Sequence, residues 1–233
     1  MTILGIDTSS AACSAALCRD GKLLGETVMN SALTHSQTIM PAVEALLEKE
    51  GLTPNDVNVF AAVAGPGSFT GVRIGVCAVK ALCLAAGRPC ARVDALEAIA
   101  EGAAYEGLIS PILDARRDQV YTALFRREGG KLSRVWEDRA EKLDELLNSL
   151  PADETVYFTG DGLNTYEGRI REKMGERALS APMHLRVLRA SAACLIAMTR
   201  PETIMDGSRL TPAYLRLPQA ERERNERLGK SAP

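Results

Sequence analysis

The stretch Ala64-Gly65-Pro66-Gly67-Ser68-Phe69-Thr70-Gly71-Val72-Arg73-Ile74-Gly75 constrains this chain most, because it joins a strand to a helix through a loop that only small residues build. Residues 57–64 read as a buried strand, and residues 70–86 carry an apolar pattern of helical length closed by Gly87 and Pro89. Two glycines flanking a proline allow φ above zero on either side of a fixed φ, so the chain reverses tightly and leaves backbone amides at a helix start. Such amides, with the helix dipole behind them, suit an anion. The same spacing equally builds a tight turn that binds nothing. No Gly-Lys-Ser/Thr follows, so this is not a Walker loop, and the GxGxxG spacing of a dinucleotide fold is absent.

With 233 residues, 46% of them hydrophobic, the chain can bury a full core as one large domain or two small ones. A net charge of -2 and a pI near 5.8 argue against a stand-alone nucleic-acid binder, so any RNA would need a partner's basic surface. Asp7 interrupts the early apolar run and no basic region precedes it, so no signal peptide is expected. Arg73 and Lys80 interrupt the longest apolar helix, which argues against a membrane span. The six cysteines, at 13, 18, 77, 83, 90 and 194, show no CxxC spacing and sit among Ala, Val and Leu. They read as reduced core residues of a cytoplasmic protein. His35 and His184 are the only histidines and are far apart, so a histidine-rich zinc site cannot be assembled.

Three short strands are expected at 2–7, 11–18 and 22–28, with Asp20-Gly21 as a hairpin signal. Residues 35–50 place Ile39, Val43, Leu46 and Leu47 at helical spacing before Gly51, with Pro41 implying a kink or a later start. A strand begins at Pro89. The second half opens similarly, with strands at 108–114, 119–126 and 131–136 around Ala115-Arg116-Arg117-Asp118 and Gly129-Gly130. A helix at 142–149, a strand at 155–159 running into Gly160-Asp161-Gly162, and helices at 165–174 and 190–198 follow. The pattern divides the chain into a lobe at 1–106, a second at 107–217 that ends in an extended piece around Tyr214 to Leu217, and a charged tail at 218–233.

A duplicated plan of meander plus helices resembles the actin, sugar-kinase and Hsp70 ATPase superfamily. The implied fold is α/β, with two related actin-like, ribonuclease H-like lobes, each a mixed sheet flanked by helices. Ile6-Asp7-Thr8-Ser9, Thr34-His35-Ser36, the 64–75 loop, Asp114-Ala115-Arg116-Arg117, Val120-Tyr121 and Pro212-Ala213-Tyr214-Leu215-Arg216 go further and resemble the TsaB (YeaZ) family almost end to end. The resemblance implies a noncatalytic subunit for threonylcarbamoylation of the adenosine beside the anticodon in tRNAs reading ANN codons. It also implies work with the catalytic paralogue TsaD and the ATPase TsaE, tRNA contact only through the complex, and a homodimer in isolation. No cofactor is then expected on the isolated chain, with ATP and metal on the partner subunits. A homodimeric actin-like scaffold, a phosphotransferase and a metallopeptidase-like enzyme are the rival readings.

Asp7 ends the first strand where active superfamily members place a metal or phosphate, yet Ser9-Ser10-Ala11-Ala12 replaces the glycine-rich phosphate loop, and Asp7 with Thr8 could simply cap the turn. Asp114 and Arg116 sit at the internally symmetric position, as a salt-bridged turn or an anion contact. Gly160 and Gly162 could approach an adenosine or merely mark a strand exit. These residues are candidates for a vestigial or shared nucleotide site. In the catalytic paralogue a similar helix carries two histidines four residues apart as metal ligands. Here position 39 is Ile and position 31 is Ser, so the resemblance implies a lost metal site, with His35 ordering the helix start beside Thr34 and Ser36.

In the helix at 70–86, Val72, Ile74, Val76, Val79, Leu82, Cys83 and Leu84 leave one polar stripe at Arg73 and Lys80. A helix apolar nearly all round needs cover on two sides, from its own sheet and from another helix or a partner. Gly71, Gly75 and Ala78 would admit a close second helix. The resemblance implies pairing with TsaD through the helices at 34–50 and 70–86. The expected docking residues are His35, Ile39, Val43, Leu46, Gly71, Val72, Gly75, Val76, Val79 and Cys83, with Val76 taken to face outward.

Overall fold

The computed structural model describes residues 1–31 and 33–216. The meander is β1 (Thr2–Asp7), β2 (Cys13–Arg19) and β3 (Lys22–Met29), followed by α1 (His35–Lys49), β4 (Val59–Val63), α2 (Phe69–Ala86), β5 (Cys90–Val93) and α3 (Ala95–Glu101). The second half gives β6 (Gly107–Asp114), β7 (Gln119–Glu128), β8 (Lys131–Lys142), α4 (Leu143–Ser149), β9 (Val156–Thr159), α5 (Leu163–Met174), β10 (Ala178–Ser180), α6 (Ala190–Thr199) and β11 (Ile204–Met205). Asp20 (φ 50°) and Gly21 (φ 81°) make the tight β2–β3 hairpin that the Asp-Gly pair predicts.

Sheet 1 runs β3-β2-β1-β4-β5-β11 and sheet 2 runs β8-β7-β6-β9-β10, so the strand order is duplicated. In each, an antiparallel meander meets two parallel strands. Every residue of β1 and β4 is buried, as central strands covered by helices on both faces require. Alternation sorts their side chains: Leu4, Ile6, Phe60 and Ala62 face one core, while Ile3, Val59, Ala61 and Val63 face another. The result is five layers. Helices α1 and α2 cover the outer face of sheet 1, α3 and α6 fill the space between the sheets, and α4 and α5 cover the outer face of sheet 2. This is the two-lobed actin-like α/β fold that the resemblance implies.

A division at residue 106 does not describe the packing. Helix α3, which follows β5, lies on β6 and β7, whereas α6 and β11 return to sheet 1. The sheets face each other, so each inner face is covered by a helix from the other side of the expected boundary. Leu217 and the 218–233 tail lie outside the described residues.

Other differences are local. Helix α1 starts at His35 and continues through Pro41, because Thr34 and Gln37 close a capping pair ahead of it, with Thr34 N–H and Oγ1 donating to Gln37 Oε1 at 3.1 and 2.8 Å. Strand β8 runs six residues past Trp136, to Lys142, through two irregularities in register. Helix α2 alone among the described helices is long and apolar enough to cross a membrane, yet its inner stripe packs on β4 and β1. Its Lys80 donates to the carbonyls of Ser208 and Leu210, both at 3.1 Å.

Candidate functional site

The glycine loop is small because it is pressed against the β1–β2 turn. A Cβ at Gly67 would overlap the carbonyl of Ser9, one at Gly71 the carbonyl of Thr8, and one at Gly75 would come within 2.5 Å of Thr8 Oγ1. Thr8 Oγ1 donates to Gly71 O at 2.6 Å and Ser68 N–H to Ser9 O at 2.7 Å. Gly65 is at φ +110°, whereas Gly67 keeps an ordinary φ and owes its identity to contact alone. Gly71 and Gly75 therefore seat α2 on its own lobe, a correction to the expectation that they admit a second helix.

Between the lobes lies a cleft of about 510 Å³ whose walls include Ser9, Ser68, Asp114, Arg116, Asp161 and Tyr214. Asp7, two residues before the lining residue Ser9 and itself fully buried, accepts Ser9 N–H through Oδ1 at 2.9 Å. Its Oδ2 and Ser9 Oγ are buried with no hydrogen-bond partner among the described residues. Burial pushes the Asp7 carboxyl up to about 7, against the pull of the Ser9 contacts. Asp161 bridges the lobes, taking Ala11 N–H on Oδ2 and Asp114 N–H on Oδ1, each at 3.3 Å, and burial raises it too. The amides of Ser9 and Ala11, which a phosphate cradle would need, are thus already held by carboxylates.

Asp114 accepts the backbone N–H of Arg116 at 2.8 Å and the hydroxyl of Tyr166 at 3.3 Å. Of the two readings of this turn, a salt-bridged turn or an anion contact, the side-chain ion pair between Asp114 and Arg116 is not formed; Arg116, Arg117 and Asp118 all take positive φ (64°, 54° and 63°), and it is the Arg116 backbone that meets the carboxylate. Three such non-glycine residues cost on the order of 1 kcal/mol each. They are held by the Ala115–Gln119 backbone pair, the Arg169–Asp118 ion pair and Leu143 N–H on Asp118 O. Gly160 (φ +101°) and Gly162 sit against β6: a Cβ on the first would overlap Ile112 O, and one on the second would lie 3.0 Å from it. Close packing on that strand accounts for both glycines.

His35 Nε2–H donates to the carbonyl of Ser10 at 2.9 Å, which staples the start of α1 to the β1–β2 turn. The docking residues expected on α1 and α2 divide otherwise than predicted. Ile39, Val43, Leu46, Val72, Val76, Val79 and Cys83 are all buried against sheet 1, with Val76 only 3% exposed. Val76 faces inward, because positions 72, 76, 79 and 83 form one helical stripe and the sheet takes it. The outward stripe of α2 is instead Arg73, Ile74, Cys77, Ala81 and Leu84, with Leu84 87% exposed, and α1 adds exposed Met40, Pro41 and Ala45 beside it. Arg73 marked that stripe in the sequence, since 77, 81 and 84 lie one, two and three turns on. At its head the Arg73 guanidinium lies 3.8 Å over the Phe69 ring, and Tyr214 stacks on Phe69 with centroids 4.7 Å apart.

The TsaB of Bacillus subtilis, described as a tRNA threonylcarbamoyladenosine biosynthesis protein, is 36% identical over 223 residues, covering 95% of this chain and 96% of that one. This chain belongs to the TsaB family. The Escherichia coli TsaB is 39% identical over 131 residues, 55% of this chain and 56% of that one. The family model of TsaD, tRNA N6-adenosine threonylcarbamoyltransferase, matches residues 24–222, which places this TsaB-family chain within the wider TsaD-like group. Among solved structures, YeaZ of Pseudomonas aeruginosa superposes with a TM-score of 0.78 at 28% identity, covering 92% of this chain and 99% of that one.

Proposed function

We propose that this TsaB-family protein, a component of tRNA threonylcarbamoyladenosine biosynthesis, is the noncatalytic subunit that docks and activates a TsaD-type catalytic paralogue. The observation that carries the reading is the outward face of α1 and α2, where exposed Met40, Cys77, Ala81 and Leu84 and half-buried Ile74 form one apolar band. A band of this kind gains by burial against a partner at roughly 25 cal/mol per Å². In isolation the same face pairs two copies of the chain about a two-fold axis.

The cleft supports a noncatalytic role. The amides of Ser9 and Ala11 are held by Asp7 and Asp161, which leaves them committed within the chain and not open to a phosphate. His35 is committed to Ser10, and the positions four residues to either side of it, Ser31 and the core residue Ile39, carry no second histidine. ATP and metal chemistry then belong to the TsaD-type subunit and a TsaE-type ATPase, and tRNA meets this chain only through the complex. Six cysteines without a disulfide fit a cytoplasmic setting.

Reconstitution tests the proposal. Purified TsaD-type and TsaE-type proteins with tRNA and activated threonylcarbamoyl donor should modify tRNA only when this chain is added. Equal modification without it, or modification by this chain alone, contradicts the noncatalytic activating role.

A further inference from the structure

After β11 the chain returns to the mouth of the interlobe cleft, where residues 211–216 run from one lobe to the other. On the lobe 1 side, Ala213 N–H donates to Ala64 O at 2.7 Å and Thr211 O accepts from Arg92 Nε at 3.4 Å. Gly65 makes room for this crossing, since a Cβ there would lie 2.5 Å from Ala213 O. Tyr214 stacks on Phe69 at an interplanar angle of 29°, and its hydroxyl accepts from Arg73 Nε at 2.8 Å. On the lobe 2 side, Arg216 Nη1 donates to Ala115 O at 2.9 Å, at the head of the hairpin whose next three residues take positive φ.

We propose that residues 211–216 form a releasable clasp that fixes the β6–β7 hairpin of lobe 2 against the start of α2 in lobe 1 and closes the rim of the cleft. Three features support a device that opens. Residues 211–216 form no strand or helix, and Tyr214 and Leu215 are 41% and 38% exposed, so the crossing belongs to the low-stability end of the molecule. The lobes are also joined by the Asp161 bridge to Ala11 and through α3 and α6, buried between the sheets, so releasing the rim leaves the shared core intact. Residues 213–216 also form part of the cleft wall, so the rim widens when they leave. The clasp rests on this geometry and not on the docking reading.

Hydrogen exchange on the full chain tests it, comparing the natural protein with Tyr214→Ala, Arg216→Ala and Arg216→Lys. Both alanine variants should speed exchange about tenfold or more in segments 64–72 and 113–121 while α4 and α5 exchange at the natural rate. Arg216→Lys, which keeps a donor for Ala115 O, should restore most of the protection at 113–121. Unchanged exchange at 113–121 in both alanine variants overturns the proposal. So does an even rise across every layer, which would make the strap an ordinary part of the global fold.

Discussion

The outer helical layers of the two lobes occupy equivalent places on sheets of the same strand order, and they differ in what they show to solvent. On sheet 2, α5 exposes Asn164, Thr165, Arg171, Glu172 and Lys173, and α4 exposes Asp144 and Glu145. On sheet 1, α2 exposes Cys77, Ala81, Leu84 and Ala85, with Ile74 and Ala78 half-buried, and α1 adds Met40. Both layers bury an inner apolar stripe, Leu163, Tyr166, Ile170 and Met174 in α5 and Val72, Val76, Val79 and Cys83 in α2, so the fold alone demands only that stripe. The second apolar face of α2 extends beyond that stripe, with Ile74 and Ala78 at its edge packed on the core. One lobe thus serves as a control for the other: the charged layer shows what a helix in this position needs to be stable, and the apolar layer shows what has been added.

The comparison breaks first if the inner stripe of α2 is less committed than its burial implies. Val76→Glu places a carboxylate against sheet 1 without a partner, which costs about 4 kcal/mol or more and should lower Tm by roughly 10 °C. Differential scanning calorimetry checks it. A near-natural Tm would show that position 76 can turn outward.

The buried end of β1 gives the next largest effect. Asp7 is raised from 3.8 to about 7 in the folded chain by burial. Between these values the folded state holds a proton that the unfolded state has released, so this group's contribution is full below about 4 and is lost as pH rises through about 7. The total is on the order of 4 kcal/mol. Urea midpoints measured from pH 4 to 8 should fall with pH, and Asp7→Asn should flatten that fall. Parallel slopes in the two proteins would show that Asp7 ionises as readily in the folded chain as in the unfolded one.

The smallest effect sharpens the control. Arg171 on α5 is 70% exposed and pairs with Glu167 one turn away at 3.3 Å. Arg171→Ala should change stability by no more than about 0.5 kcal/mol. It should also leave association untouched, as read by the same melts and by sedimentation.

Most of the fold was legible because its signals are local: Asp20-Gly21 for the hairpin, Gly87 closing α2, and a repeated meander announcing two lobes. What stayed hidden depends on contacts distant in sequence. The exchange of α3 and α6 between the sheets follows from the two inner faces meeting, which no periodicity reports. The side of α2 that faces out is not legible in the sequence, because the helix is apolar nearly all round and its period has weak contrast, with Arg73 and Lys80 as its two cations. Arg73 does lie on the outward face, but Lys80 bends back to the carbonyls of Ser208 and Leu210. The role of Asp161 as a bridge to Ala11 spans 150 residues and left only a glycine-flanked aspartate to be noticed.

The central claim is that the outward face of α2 is the surface that meets the TsaD-type partner. The most direct measurement is the affinity of this chain for that partner by titration calorimetry, with Leu84→Glu beside the natural chain and Tm recorded for both. Because Leu84 is 87% exposed, the variant should melt within a few degrees of the natural chain. Its affinity should fall by about 100-fold or more, close to 3 kcal/mol, as a charge is forced into an apolar interface. An unchanged affinity in a fully folded variant would contradict the claim and leave the apolar face of α2 without a role in docking.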